Sequence, residues 1–145
     1  MIRRFGKSPK AGQTYKTRAG AYAILPRDGN LLLTFQAAEF DEFQLPGGGI
    51  DAGESPIAAL HREVFEETGW KIAAPRRLGA FRRFTYMPEY DLWAEKVCTI
   101  YVAMPVQKHG NPLEPDHTAV WMDPEMAVKH LCNDGDRHFV DRLLF

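Results

Sequence analysis

The sequence predicts an α+β sandwich of mixed strands with two or three helices. β-rich apolar runs recur along the chain, at Lys16 to Leu25, Leu31 to Phe35, Arg77 to Tyr86, Val97 to Val106 and Thr118 to Met122. Ser55-Pro56 and Asp123-Pro124 each place an N-cap residue before a proline suited to the first helical position. A glycine run, Pro46-Gly47-Gly48-Gly49, parts the first strands from the first helix. At 145 residues the chain fits one domain, residues 1–145, that folds without a metal or disulfide staple.

The first fifteen residues are rich in Gly, Lys and Pro and read as an irregular basic arm. Lys16 to Leu25 is strand-like, Asp28-Gly29-Asn30 signals a hairpin turn, and Leu31 to Phe35 is the returning strand. Gln36 to Glu42 reads as a loop. Phe43-Gln44-Leu45 leads into the glycine run, whose composition predicts that it is not the interior of a regular element. A helix follows from Ser55-Pro56 to Thr68, closed by Gly69 as C-cap. Met87 to Asp91 is a polar loop between the next two strands. Asp123-Pro124 opens a short helix to about Leu131, and Gly135 separates off a last periodic segment of Phe139, Val140, Leu143 and Leu144. Asn133-Asp134-Gly135-Asp136 lacks the spacing and closing Glu of a calcium loop and reads as a turn.

Lys and Arg total 18, Asp and Glu 19, so the net charge of −1 names no partner. The distribution is uneven. No acid precedes Asp28, while Arg3, Arg4, Lys7, Lys10, Lys16, Arg18 and Arg27 are all basic; Arg76, Arg77, Arg82 and Arg83 form a second basic group. Acids dominate from Glu39 to Glu67. Charge alone favours a solvated arm and a solvated strand face, although a positive region beside a negative one also suits an anion held through a bridging cation. No run approaches the ~18 apolar residues of a membrane span. The basic N-terminus lacks a secretory apolar stretch. Cys98 and Cys132 are too few and too far apart for a zinc cluster or a disulfide framework. They read as buried thiols in a reducing compartment, so a cytoplasmic protein with no membrane partner is expected.

On a helix over Ser55–Thr68, Ile57, Leu60, Val64 and Thr68 fall on one side and face the core. Glu63, Glu66 and Glu67 gather on another side, within about 100° of arc. Arg62 stands at ion-pair spacing from Glu66. Like charges one turn apart repel by a few tenths of a kcal/mol, and the C-terminal half of a helix disfavours negative charge. A hard divalent cation reverses that balance, because it takes oxygen ligands. A solvated acidic face is the plainer alternative. The glycine run, which lets backbone approach a ligand, and Glu54, beside the N-cap, tip the balance toward metal.

Gly48, five residues, Glu54, seven residues, then Arg62-Glu63-Val64-Phe65-Glu66-Glu67-Thr68-Gly69-Trp70 resembles the signature box of the Nudix hydrolases, Gly-x5-Glu-x7-Arg-Glu-U-x-Glu-Glu-x-Gly-U, with U bulky and apolar. Trp70 stands where Ile, Leu or Val is usual. Leu45-Pro46-Gly47-Gly48-Gly49 and Trp121-Met122-Asp123-Pro124-Glu125 also fit that family's layout. The resemblance implies a Nudix-type α/β/α sandwich with a central mixed β-sheet. It implies a pyrophosphohydrolase, using Mg²⁺ or Mn²⁺, that cleaves a diphosphate linkage in a nucleoside-diphosphate-type small molecule by water attack at phosphorus. By the same resemblance Glu63, Glu66 and Glu67 are metal ligands, with Glu63 and Glu67 the central pair. Glu54 and the Gly48 carbonyl support them, Arg62 orients a glutamate, and Gly69 ends the helix. Glu66 is the general base expected within the box; Glu89, Asp91 and Glu95 are the candidates outside it.

Substrate selection is expected outside the box. Lys16, Arg18, Arg82 and Arg83 are candidates for outer phosphates, and Phe35, Phe43, Phe84, Tyr86 and Tyr90 for stacking on a base. Tyr86 lies near where diadenosine-polyphosphate hydrolases tend to carry a tyrosine, and Lys16-Thr17-Arg18-Ala19 resembles enzymes that cleave diphosphoinositol polyphosphates. Both substrate classes stay open. So do a catalytically silent nucleotide-sensing module and a homodimer. Nucleic-acid binding by the basic arm is disfavoured, since the arm lacks an aromatic-interleaved pattern. His61 points away from the acidic face, and Trp121 reads as a packing residue.

Overall fold

Strands β7 (Trp70–Met87) and β8 (Leu92–Lys108) form a long antiparallel hairpin around which the other elements are arranged. The computed structural model describes residues 2–37 and 41–144, so the middle of the loop expected after Gln36 lies outside the described residues. Both strands start earlier than their β-rich runs. Register shifts between Lys71 and Ile72, Ala73 and Arg76, and Arg77 and Gly79 absorb the irregular residues around Pro75, and the ladder resumes after each. The polar loop between the strands shortens to a single 3₁₀ turn, Pro88–Tyr90.

Strand β2 (Lys16–Ile24) joins β8 in parallel, from Lys16 opposite Ala94 to Ile24 opposite Val102. Strand β1 (Arg3–Arg4) pairs in parallel with β7, so the N-terminal arm is not wholly irregular. Phe5 ties it down: its N–H donates to the Arg82 carbonyl at 2.9 Å, and its ring meets Phe81 edge-on at 5.7 Å. The glycine run is also regular, contrary to expectation. Gly47–Gly49 is strand β6, antiparallel to β2 and completing the five-stranded order β1-β7-β8-β2-β6. Glycine is used there for close approach: a Cβ on Gly47 would sit 2.2 Å from the Ala21 carbonyl oxygen, and its φ of +147° is one L side chains rarely adopt.

A second sheet is built on β4 (Asn30–Gln36), which pairs antiparallel with β3 (Pro26–Arg27), β5 (Glu42–Gln44) and β9 (His117–Met122). Asp28 and Gly29, with φ of 51° and 81°, make the two-residue turn into β4.

Helix α1 (Pro56–Thr68) has the caps that its sequence predicts. Ser55 Oγ accepts from the Ala58 N–H at 3.1 Å, and the Gly69 N–H donates to the Phe65 carbonyl at φ 77°. Leu60 and Val64 pack with Ala21, Ala23, Tyr101 and Ala103 on one face of the sheet. Helices α2 (Pro124–His130) and α3 (Asp134–Leu144) supply Ala127 and Val140 to the core on the other, with Ile24, Phe81, Cys98 and Ile100. Alternation along each strand feeds the two cores and makes the mixed sheet the middle layer of a sandwich. Ile57 departs from its expected core position and is 38% exposed, while Ala59 is fully buried. Ile57 belongs to the first turn, and the buried arc of α1 turns toward Ala59 and Glu67, against β6. Gly135, expected to separate segments, instead lies within the first turn of α3. A Cβ there would meet the Phe81 ring at 2.3 Å, so glycine admits close helix–sheet packing, and Asn133 Oδ1 caps the turn by accepting from the Asp136 N–H. The side chain of Leu144 lies outside the described ones.

Candidate active site

Glu63 and Glu67, one turn apart on α1, lie against β6. The Gly47 N–H donates to Glu67 Oε1 at 2.9 Å. A Cβ on Gly48 would come within 2.6 Å of the Glu63 carboxyl carbon, so the side-chain-free strand is what gives Glu63 its place. Glu67 is buried, and burial pushes its carboxyl well above the ordinary carboxylate range despite the Gly47 amide. Burial also raises Glu63, although the Arg62 guanidinium pulls it down. His117 from β9 stands 3.6 Å from Glu67, with its Nδ1 2.7 Å from the Thr34 hydroxyl. Burial keeps that imidazole below its usual pKa.

Arg62 is the local countercharge. Its guanidinium donates to Glu54 through Nε and Nη2, at 2.8 Å each, to Glu63 at 2.9 Å, to Glu66 at 3.4 Å and to the Gly49 carbonyl at 3.1 Å. Asp51 lies 3.4 Å away. The bonds from Arg62 hold the Glu54 carboxyl down at about 2. The helix-face argument from sequence matched Arg62 with Glu66 alone. In the structure one guanidinium offsets three glutamates, so a divalent ion is not the sole countercharge they have. Glu67 lies outside this network. Among the described residues no three carboxylate, imidazole or thiol groups converge on one ion-sized point, since Glu54, Glu63 and Glu66 are spread around Arg62.

Glu63 and Glu67 line a cleft of about 900 Å³ together with Gly48, Lys16, Arg18 and Arg83. Arg18 lies over the Tyr90 ring, 4.7 Å from its centroid. Glu54 and Arg62 stand in the network described above without lining the cleft, and Arg82, Tyr86 and Glu66 are also placed outside it. Arg82 projects from β7 to the face opposite Arg83, where it pairs with Glu95 at 3.0 Å. Tyr86 lines a separate pocket of about 400 Å³ with Phe84 and Trp93, and its hydroxyl donates to Asp91. Glu66 turns to Arg62 and does not line the cleft. Its carbonyl accepts from the Leu113 and Glu114 N–H groups, at 2.7 and 3.1 Å, and holds the segment that carries Glu114. Among the outside carboxylates, Glu89 lines the cleft, while Asp91 and Glu95 are engaged by Tyr86 and Arg82. Phe35 and Phe43 pack on each other at 4.9 Å, and Trp121 packs edge-on against Trp70 at 5.4 Å.

Sequence reasoning missed Glu114, His117, Tyr22, Lys96 and Asp136, all of which line the cleft. His117 and Glu114 precede or open a strand far along the chain from α1, and no spacing rule links them to it. Lys96 had a signal available: it lies between apolar β8 positions on the face that Cys98 and Ile100 bury.

A family model described as the NUDIX domain matches residues 14–143. A Halorhodospira halophila protein named RNA pyrophosphohydrolase is 46% identical over 39% of this chain and 31% of its own length. A Mycolicibacterium smegmatis protein named 8-oxo-(d)GTP phosphatase is 30% identical over 72% of this chain and 31% of its own length. The chain thus spans about a third of the length of these curated relatives. The crystal structure of a MutT NUDIX hydrolase from Burkholderia pseudomallei superposes with a TM-score of 0.68 at 24% identity, covering 87% of this chain and 97% of that one. At that identity the likeness establishes the fold. The glycine strand beneath paired glutamates, the Arg62 network, the sandwich and the match over most of the chain agree: this chain belongs to the Nudix family.

Proposed function

We propose that this protein is a divalent-metal-dependent pyrophosphohydrolase that cleaves a diphosphate linkage in a nucleoside-diphosphate-type small molecule by water attack at phosphorus. The observation that carries this reading is the placement of Glu63 and Glu67 over the side-chain-free strand β6, at the wall of a cleft whose far side is cationic. The names of the relatives, RNA pyrophosphohydrolase and 8-oxo-(d)GTP phosphatase, support phosphoanhydride chemistry.

The donor set fits Mg²⁺, with Mn²⁺ as an alternative. Glu63, Glu67 and the Gly48 carbonyl offer hard oxygens only, and Glu67 lacks a cationic partner within hydrogen-bond reach among the described residues. When bound there, such an ion supplies charge neutralisation on the diphosphate and a lowered pKa for the attacking water. Arg62 holds Glu54 and Glu63 in place from behind. A general base takes the proton of the water. Glu89 and Glu114, which line the cleft, are the proposed bases, whereas Glu66, the expected base within the box, is assigned to anchoring Arg62 and the 113–114 backbone. Free thiols at Cys98 and Cys132 suit a reducing compartment, and the cytoplasm is the proposed location. No helix among the described residues is long and apolar enough to cross a membrane.

The test is a panel of nucleoside triphosphates, nucleotide sugars, dinucleoside polyphosphates, diphosphoinositol polyphosphates and 5′-triphosphorylated RNA, incubated with Mg²⁺ and with products resolved. Turnover of at least one class is expected, falling by about two or more orders of magnitude in Glu67→Gln. Tight binding with no turnover across the panel instead identifies a silent nucleotide-sensing module.

A further inference from the structure

Arg18 on β2, Lys96 on β8 and Arg83 on β7 are successive register partners. Partners in register project to the same face, so the three form one row of cations across three adjacent strands. All three line the cleft. Like charges directly opposite each other destabilise a sheet; buried Asp136 attracts Arg83 and Lys96, and the Lys96 ammonium hydrogen-bonds the Tyr22 side chain, but no ion pair among the described residues neutralises the row. Among the described residues none of the three has an acid within ion-pair distance. Arg18 rests on Tyr90, and the Lys96 ammonium lies 5.8 Å from the centroid of the Tyr22 ring. The nearby acid, Asp136, is buried from α3 and accepts from Asn133 Nδ2 at 2.9 Å.

The row occupies the face opposite α1. Ala21, whose partner is Gly48, belongs to the α1 side; Arg18, three residues earlier, belongs to the other. Yet the cleft is lined by both Glu63 and Lys96, so it passes from one face to the other at the edge strand β6. Three glycines there leave no side chain in the way. A substrate whose cleaved linkage lies at Glu63 and Glu67 can therefore extend an anionic portion across β6 to the cations.

We propose that Arg18, Lys96 and Arg83 bind phosphate groups of the substrate that lie outside the cleaved diphosphate, so that the preferred substrate carries more phosphate than a simple nucleoside diphosphate. This rests on the hydrolase reading above for where cleavage occurs. The additional phosphate has two sources, a longer 5′ chain or a phosphodiester on the far side of the ribose. Arg and Lys serve both, as fork and point charge.

Calorimetric binding of inorganic tripolyphosphate to the full chain in metal-free buffer reads the row without catalysis. Wild type is expected to bind, Lys96→Met to bind at least about tenfold more weakly, and Lys96→Arg to restore most of the loss. Arg76→Gln, which removes an exposed arginine of β7 outside the cleft, controls for net charge and is expected to match wild type. Affinity should fall with added salt, and less steeply in Lys96→Met. Steady-state arms then separate the sources: in Lys96→Met the KM rises about tenfold for a nucleoside triphosphate if the chain is long, or for a 5′-diphosphorylated dinucleotide if the phosphodiester is bound. Tripolyphosphate affinity equal in wild type and Lys96→Met overturns the proposal. Wild-type hydrolysis without tripolyphosphate binding sinks the cationic row and leaves the hydrolase; Lys96-dependent binding without any hydrolysis does the reverse.

Discussion

Gly48 has no side chain because the Glu63 carboxyl group stands where one would begin, and Gly47 has none because the Ala21 backbone does. The two neighbours therefore predict different failures. In Gly48→Ala the new methyl meets the end of a flexible side chain, so Glu63 swings away and Mg²⁺-dependent turnover falls at least about tenfold, with the unfolding midpoint little changed. In Gly47→Ala the clash is with backbone and φ is positive, so stability falls by about 1–3 kcal/mol. Paired thermal melts and rate measurements on the two variants separate them. A loss of stability in Gly48→Ala as large as in Gly47→Ala contradicts the assignment. At this scale the sequence was informative about residue type. Gly48, Glu54, Arg62, Glu63 and Glu67 were all singled out, but not the contacts among them. That Arg62 serves Glu54 and the Gly49 carbonyl as well as Glu66 depends on chain returning from the Gly49–Glu54 segment, which helix spacing cannot encode.

Elements were legible where local chemistry decides them. Ser55, Pro56 and Gly69 fix both ends of α1, and Asp28-Gly29 fixes a turn, because caps and turns are short-range devices. β6 and the start of α3 were misread for the opposite reason: Gly47–Gly49 and Gly135 are glycines that tertiary packing demands, and local propensity argues against them in strand or helix. The N-terminus of α3 also carries a titration. Burial lifts Asp136 from 3.8 to about 6, against the pull of Arg83 and Asn133. The folded chain thus keeps a proton at pH values where the unfolded chain has lost it. That contribution is fully present below about pH 4 and is lost as pH rises through about 6. Asp136→Asn, neutral throughout, should flatten the decline in unfolding free energy over this window by on the order of 1–3 kcal/mol, measured by denaturant titration at several pH values. A wild-type curve that rises between pH 4 and 6 while the variant's does not would reverse the sign and reject the assignment.

Across the whole molecule, the sandwich places acids and cations in a single cleft, with a glycine strand between them. The alternation of apolar residues revealed the layers, and the signature box revealed the acidic wall. The cationic wall was only half visible, since Arg18 and Arg83 were candidates while Lys96 and the register that aligns all three were not. Register across β2, β8 and β7 is a tertiary outcome, and it sorts Arg83 into the cleft and Arg82 out of it. The central claim is that Glu63 and Glu67, with the Gly48 carbonyl, form the seat of a divalent ion despite the countercharge of Arg62. Mn²⁺ titration of the full chain, followed by the electron paramagnetic resonance of free Mn²⁺, tests it most directly. Saturable binding of one or more ions is expected in wild type, weakened at least about tenfold in the Glu63→Gln, Glu67→Gln double variant. Undiminished Mn²⁺ affinity in that variant, with its fold intact, would contradict the claim.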